Sequence, residues 1–301
     1  MIGKWCQVCP TCRRKRRVED KNVEKREGVF MSKIFEALQK AEQKNHDYNP
    51  EQVVEDPGAD WDLSQDLVTL FRPGSVAAEQ FRFLRTKVIR PIQGEMPRTL
   101  LITSPLQGEG KTFTACNLAV ALAQGLDEFV LLVDTDLRNP QVNRIFGLDR
   151  QEKGLSTYLL NKEPLSALLR KTDIHKLTVL PAGQETEKPA EIISSKRMKS
   201  FIAEVRDRYP DRLVVFDSPP VQLAPETLVI ANEVDGVFLV LRKGITPRDA
   251  AKSTLEYLKK DNFKGVIFNG YARESKYYRR YRSQGYKYNY GYGYQAKGAN
   301  A

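Results

Sequence analysis

The chain has 301 residues, of which 41% are hydrophobic and 29% charged, and it carries a formal net charge of +10. That length holds one large or two small domains with a full core, and a charge of this size points to nucleic acid or an acidic surface unless it is confined to the ends. It is confined: residues 1–30 carry a net +5 and residues 271–301 a net +6, which leaves −1 for everything between them.

No apolar run approaches the roughly 18–20 residues that span a bilayer. The longest, Gly236–Leu241, is strand-sized, and no apolar stretch follows the basic first residues as a secretory signal would require. The expected location is cytoplasmic, with any membrane association made through a partner or an amphipathic segment.

At the amino end, Cys6, Cys9 and Cys12 invite a metal reading. Tetrahedral zinc takes four ligands, and no fourth Cys or His lies nearby. Met31–Gln43, "MSKIFEALQKAEQ", reads as a natural start leading into an amphipathic helix over 31–46. Arg26-Glu27-Gly28 is encodable as a ribosome-binding sequence just upstream, so residues 1–30 are expected to be leader read as protein. An acidic, Pro-containing linker is expected over 47–73.

A domain from 74 to 270 follows. Ser75 is a helix N-cap candidate for "VAAEQFRFLRTKVIR". Strand-like runs then appear at 98–104, 129–134, 177–182, 212–218, 236–242 and 265–270. Helical stretches separate most of them, at 112–124, 194–208, 225–232 and 247–260, and Cys116 within the first reads as a small buried residue. Continuous apolar strands between helices predict an α/β fold, a doubly wound, mainly parallel sheet covered on both faces. The last thirty residues are a Tyr/Gly/Arg-rich tail with few aliphatics, expected to be disordered, and nine of the thirteen tyrosines fall between Tyr271 and Tyr294.

"SPLQGEGKT" (Ser104–Thr112) follows a strand and opens a helix. That is the context of a phosphate-binding loop, where backbone N–H groups and a helix N-terminus meet the anion and a lysine reaches the β/γ-phosphates. Lys111 is that lysine, Thr112 supplies a hydroxyl for Mg²⁺, and Gly108 and Gly110 allow the tight path. Pro105 stands where the generic pattern has glycine. Asp134 and Asp136 end one strand run, with Arg138 just beyond, and Asp217 ends another. In a parallel sheet these acids share the edge that carries the loop, and Mg²⁺ beside nucleotide phosphates takes such oxygen ligands. Arg138 reads equally as a charge-stabilising residue and as a salt-bridged loop residue.

Together these residues resemble the bacterial tyrosine kinases (BY-kinases), the autokinases of capsule and exopolysaccharide production, over most of Val76–Asn269. The resemblance covers Walker A at Gly108–Thr112, Walker A′ at Leu131–Arg138 and Walker B at Val214–Pro219. It extends to "PAG" at Pro181–Gly183, to Pro189–Phe201 and to the tail. It implies ATP and Mg²⁺ as cofactors, with nucleotide held by Gly108, Glu109, Gly110, Lys111, Thr112 and Phe113. It also implies catalysis by Lys111, Asp134, Asp136 and Asp217, and metal at Thr112 and the three aspartates. Asp134 is the implied group that receives or orients the phenol proton, with Asp136 and Asp217 mainly positioning metal and water. The implied phosphoacceptors are Tyr277, Tyr278, Tyr281, Tyr286, Tyr288, Tyr290, Tyr292 and Tyr294. Glu79, Arg82 and Arg85, spaced along one helix face, resemble the family's subunit-contact motif and imply a ring-like homo-oligomer acting in trans. A membrane chain-length regulator as activator and a cognate tyrosine phosphatase are implied partners. "MSKIFEALQKAE" resembles the exosortase-associated subgroup more narrowly.

Two other readings compete. A MinD/ParA-like assembly switch shares the sheet but carries a second lysine five positions before the P-loop lysine, where this chain has Leu106. A tail stacking on single-stranded nucleic acid is chemically feasible, yet the near-neutral centre gives it no support, and no nucleic-acid partner is expected.

Overall fold

The computed structural model describes residues 63–270, except 93, 150–152, 162, 208–211 and 259–260. The expected leader, the 31–46 helix, most of the linker and the tyrosine tail lie outside the described residues.

The fold starts before the expected domain boundary. Within the region read as linker, α1 (Val68–Phe71) is followed by α2 (Val76–Ile89). Leu67 is fully buried, and the Thr69 amide and hydroxyl both donate to the Asn117 side-chain oxygen at 3.0 Å. Leu63, Val68 and Leu70 pack against the core, so this segment is structural, and its short apolar pattern is what the acidic composition concealed. Ser75 caps α2 as expected, its Oγ accepting from the Ala78 amide at 3.1 Å.

The remaining order is β1 (Thr99–Thr103), α3 (Lys111–Ala123), β2 (Phe129–Asp134), α4 (Val142–Ile145), α5 (Leu155–Asn161), α6 (Leu165–Leu168), β3 (Arg170–Lys171) and β4 (Leu177–Leu180). Then come α7 (Pro189–Ile193), α8 (Lys196–Asp207), β5 (Arg212–Asp217), α9 (Thr227–Glu233), β6 (Gly236–Arg242), α10 (Arg248–Tyr257) and β7 (Phe263–Asn269). The seven strands lie in the order β3-β4-β2-β5-β1-β6-β7, all parallel except the two-residue β3, which pairs antiparallel with β4. β3 and the short helices between 142 and 168 have too few residues to leave a periodic signal.

Alternation along each strand builds two cores. Leu100, Ile102, Leu132 and Val215 face the layer containing α3, while Leu101, Leu131, Val214 and Phe216 face the layer containing α8. Burying both faces explains the continuous apolar strands. α3 is buried nearly all round because α2 covers it from outside: Phe81 meets Phe113 edge-on at 5.8 Å, and the Arg85 guanidinium donates to the Ala121 carbonyl at 3.1 Å. Cys116 is buried there as expected, and burial, with Asp217 nearby, pushes its thiol well above the usual range, leaving it inert. Among the described residues no helix is long and apolar enough to cross a membrane.

Candidate nucleotide and phosphoryl-transfer site

Parallel strands deliver their carboxyl ends to one edge, and there the register sets Asp134 of β2 directly beside Asp217 of β5, with Ile102 of β1 on the other side of Asp217. The loop after β1 turns through Gly108 and Gly110, both with left-handed φ (80° and 91°), into α3. Gly110 is the N-cap and brings no side chain to the helix end, so the first amides of α3 remain open to an anion. A Cβ at Gly110 would lie 2.0 Å from Asn269 Nδ2 and would have to displace that side chain, and the φ of 91° itself favours glycine.

Lys111 Nζ sits 2.8 Å from Asp136 Oδ2 and 3.3 Å from Thr112 Oγ1. Asp134 and Asp217 are fully buried, and Asp136 nearly so. Their partners separate their roles. Asp134 Oδ1 accepts from the Asp136 amide at 3.0 Å and its Oδ2 from the Val142 amide at 3.2 Å, so this carboxylate shapes the loop after β2. Asp136 Oδ1 accepts from the Asn139 amide at 3.1 Å. Both carboxylate oxygens of Asp217 are buried without a hydrogen-bond partner.

Burial, reinforced by Asp217 and Asp136, pushes the Asp134 carboxyl well above the ordinary carboxylate range. Asp217 is raised to about 6, by burial first, against the opposing pull of the Lys111 ammonium and the nearby Thr112 hydroxyl. Burial by itself would lower the Lys111 pKa, but the charges of Asp217 and Asp136 outweigh it and the pKa rises. Three carboxylates thus share one ammonium, an arrangement short of positive charge.

ATP and Mg²⁺ fit these residues. No three His, Cys, Asp or Glu side chains among the described residues enclose a metal by themselves. Mg²⁺ in nucleotide sites takes only one or two carboxylates and completes its shell with phosphates and water. Thr112 and the unpartnered Asp217 are the side chains equipped to hold it. Of the residues expected around nucleotide, Glu109 turns its side chain into the loop, accepting from the Leu106 amide at 2.8 Å and from the Thr246 hydroxyl. Phe113 packs its ring on Phe81, so both offer backbone rather than side chain to a phosphate.

Sequence reasoning missed the bracing of this loop. Asn269, at the end of β7, donates to the Glu109 carbonyl at 2.9 Å, and Arg242, at the end of β6, donates to the Gly108 carbonyl at 2.7 Å. Their only sequence signal is a polar residue at a strand's carboxyl end. Behind the loop, the Val221 and Gln222 amides donate to the Ser104 and Pro105 carbonyls at 2.9 and 3.3 Å, so Pro105 sits within a knitted turn. Arg138 pairs with buried Glu226 at 2.8 Å, as the salt-bridged reading expects, while its side chain stays half-exposed. On α2, Glu79 and Arg82 pair with each other, Arg82 also reaches the Pro73 carbonyl, and Arg85 is bound to α3.

A phosphate-cradling loop on a parallel sheet, with acids at the neighbouring strand ends, defines a P-loop nucleotide-binding protein. Residues 99–238 match the family described as AAA domain. Tyrosine-protein kinase YwqD of Bacillus subtilis (strain 168) is 34% identical over 210 residues, 69% of this chain and 87% of its own length. Tyrosine-protein kinase CpsD of Streptococcus agalactiae serotype III (strain NEM316) is 29% identical over 200 residues, 66% of this chain and 84% of its own. The solved kinase domain of Escherichia coli tyrosine kinase ETK superposes with a TM-score of 0.64 at 28% identity, covering 76% of this chain and 84% of that one. The chain belongs to the bacterial tyrosine-protein kinase family, and it is an enzyme of that class.

Proposed function

We propose that the chain is an autokinase that transfers the ATP γ-phosphoryl group to tyrosines of its own carboxyl-terminal cluster, Tyr277–Tyr294, in another copy. The observation that carries this reading is the juxtaposition of the P-loop with Asp134 and Asp217, in a chain that keeps most of its tyrosines in one low-complexity tail. Lys111 and the amides of the loop hold the phosphates. Thr112 and Asp217 would hold Mg²⁺, which would supply neutralising charge to the phosphates. Asp134 takes the phenol proton as the tyrosine oxygen bonds to the γ-phosphorus and the bond to the ADP oxygen breaks. A phenol's reference pKa is near 10, so a carboxylate whose proton affinity is raised by burial is better matched to the task than an ordinary one. Asp136 holds Lys111 in place.

The wider setting follows from the family resemblance. The chain works as a ring-like homo-oligomer through Glu79, Arg82 and Arg85, on the cytoplasmic face of the membrane. A membrane chain-length regulator activates it, a tyrosine phosphatase resets it, and polysaccharide export responds. Each phosphate adds about −1.5 to −2 charges, so a few of them reverse the tail's net +6 and weaken the ring.

Full-length chain incubated with Mg²⁺-ATP is expected to acquire several phosphotyrosines between 271 and 294, mapped by peptide mass spectrometry. A tagged Lys111→Met copy should be phosphorylated only when mixed with active chain. ATP hydrolysis with no tail phosphate, even with a regulator's cytoplasmic segment added, would replace this reading with an assembly switch.

A further inference from the structure

Glu109 stands between Gly108 and Gly110, fully buried, in a loop that receives the negative charge of ATP. Its own charge opposes that of the phosphates, so a different property must keep it there. Both carboxylate oxygens are engaged. Oε2 accepts from the Leu106 amide at 2.8 Å and Oε1 from the Thr246 hydroxyl, and among the described residues the side chain has no other hydrogen-bond partner. Thr246 lies in the turn between β6 and α10. Its Oγ1 accepts from the Arg242 amide at 2.8 Å, and the Ile245 and Thr246 amides close onto the Arg242 carbonyl at 3.1 and 3.0 Å. This turn therefore grips the P-loop at two points, with the Arg242 guanidinium on the Gly108 carbonyl and the Thr246 hydroxyl on Glu109.

The grip has a direction. Arg242 and Asn269 are register partners at the ends of β6 and β7, and they hold the carbonyls of two successive loop residues, Gly108 and Glu109. No peptide in the described chain is cis, and in a trans peptide the carbonyl and the following N–H point opposite ways. Holding these carbonyls against the strand ends turns the Glu109 and Gly110 amides away from them. That is the polarity a phosphate nest needs, with N–H groups toward the anion and carbonyl dipoles away from it.

We infer that Thr246 is a positioning residue for ATP: through the Glu109 carboxylate it locks the P-loop in this polarity from the turn after β6. The inference rests on nucleotide binding at the P-loop and is independent of which group accepts the phosphate. Without the hydroxyl, Oε1 is left buried and unpaired, and a buried unpaired carboxylate is costlier than a hydrated one. The Glu109 side chain then turns out to water, the Leu106 amide loses its acceptor, and the Gly108–Gly110 backbone is freed to rotate. ATP has to restore the loop before it can be held. The effect falls on binding, because the loop regains its shape once the phosphates are seated.

The test titrates full-length chain with a fluorescent ADP analogue and Mg²⁺. Thr246→Val is expected to weaken binding about tenfold, and Thr246→Ser, which keeps the hydroxyl, by less than about twofold. Glu109→Ala should also weaken binding about tenfold. The sign is diagnostic, since deleting a negative charge beside the phosphates would by itself tighten binding. Glu109→Gln keeps an acceptor for the Leu106 amide and a polar partner for Thr246, so it should stay within about twofold of the unmodified chain. Adding Thr246→Val to Glu109→Ala should cost almost nothing more, because both changes break one link. In the kinase assay the KM for ATP should rise with the dissociation constant in Thr246→Val, while kcat at saturating ATP falls less than about twofold. Tighter binding by Glu109→Ala, unchanged binding by Thr246→Val, or two effects that multiply in the double variant would each overturn the proposal. Binding is read without catalysis, so the expected affinities in a chain that phosphorylates no tyrosine would sink the autokinase reading and leave this one standing.

Discussion

Two aspartates at opposite ends of the sheet show how differently the fold treats one residue type. Asp235, at the amino-terminal end just before β6, accepts three hydrogen bonds on Oδ2: from the Arg98 amide at 3.1 Å, the Thr99 amide at 3.0 Å and the Thr99 hydroxyl at 2.9 Å. Asp217, at the carboxyl end of β5, is fully buried and accepts none. The first carboxylate stitches β1 to β6 and is satisfied at rest. The second is held ready for something the protein alone does not provide, at a cost to the nucleotide-free fold. Of these two acids, the one with complete hydrogen bonding is structural and the one without it is free to take a ligand. Hydrogen bonding alone does not sort Asp134, whose two oxygens accept from the Asp136 and Val142 amides.

The sharpest way to break this contrast is to remove the one cation among the carboxylates. Lys111→Met is expected to lower autophosphorylation by about 10³-fold and to destabilise the nucleotide-free chain by about 3 kcal/mol, because it leaves buried acids uncompensated. Adding Asp136→Asn should restore part of the stability and none of the activity, read by chemical denaturation alongside phosphotyrosine yield. Asp217→Asn should separate the two quantities. It should lose about 10²-fold in rate yet gain about 2 kcal/mol in nucleotide-free stability near pH 7. The sign follows from linkage. A pKa raised from 3.8 to about 6 means the folded chain binds this proton more tightly than the unfolded one. Its contribution favours folding below about pH 4 and is lost as pH rises through about 6. The variant should lack that downward slope in denaturant midpoint against pH.

Asp235→Ala tests the opposite edge. It should lower stability by about 2 kcal/mol, a discounted value for a partly exposed acceptor of three bonds, with kcat unchanged where the chain stays folded. A change in kcat would end the division between a structural and a chemical aspartate. Asn269→Ala should have the smallest effect, about a fivefold rise in KM for ATP with little change in stability, since it frees one loop carbonyl at a partly exposed site. An unchanged KM would show that the loop keeps its shape without β7.

Local pattern was enough to reveal the parallel sheet, the P-loop and the carboxylates. Continuous apolar runs mark strands buried on both faces, and an acid at the end of such a run must arrive at the sheet edge that carries the loop. Ser75 was legible as a cap and Cys116 as a core residue for the same reason: each depends on neighbours within a turn or two. The helix before residue 74 stayed hidden in an acidic segment because its apolar residues acquire meaning only against Asn117 and α3. The partners of Arg138 and Asn269 lie 88 and 160 residues away in sequence. No periodicity encodes such pairs, because strand order decides which loop ends meet. Tertiary structure alone also decided which aspartate is satisfied and which is left bare, since a carboxylate's free lone pairs depend on the amides that the completed fold brings to it.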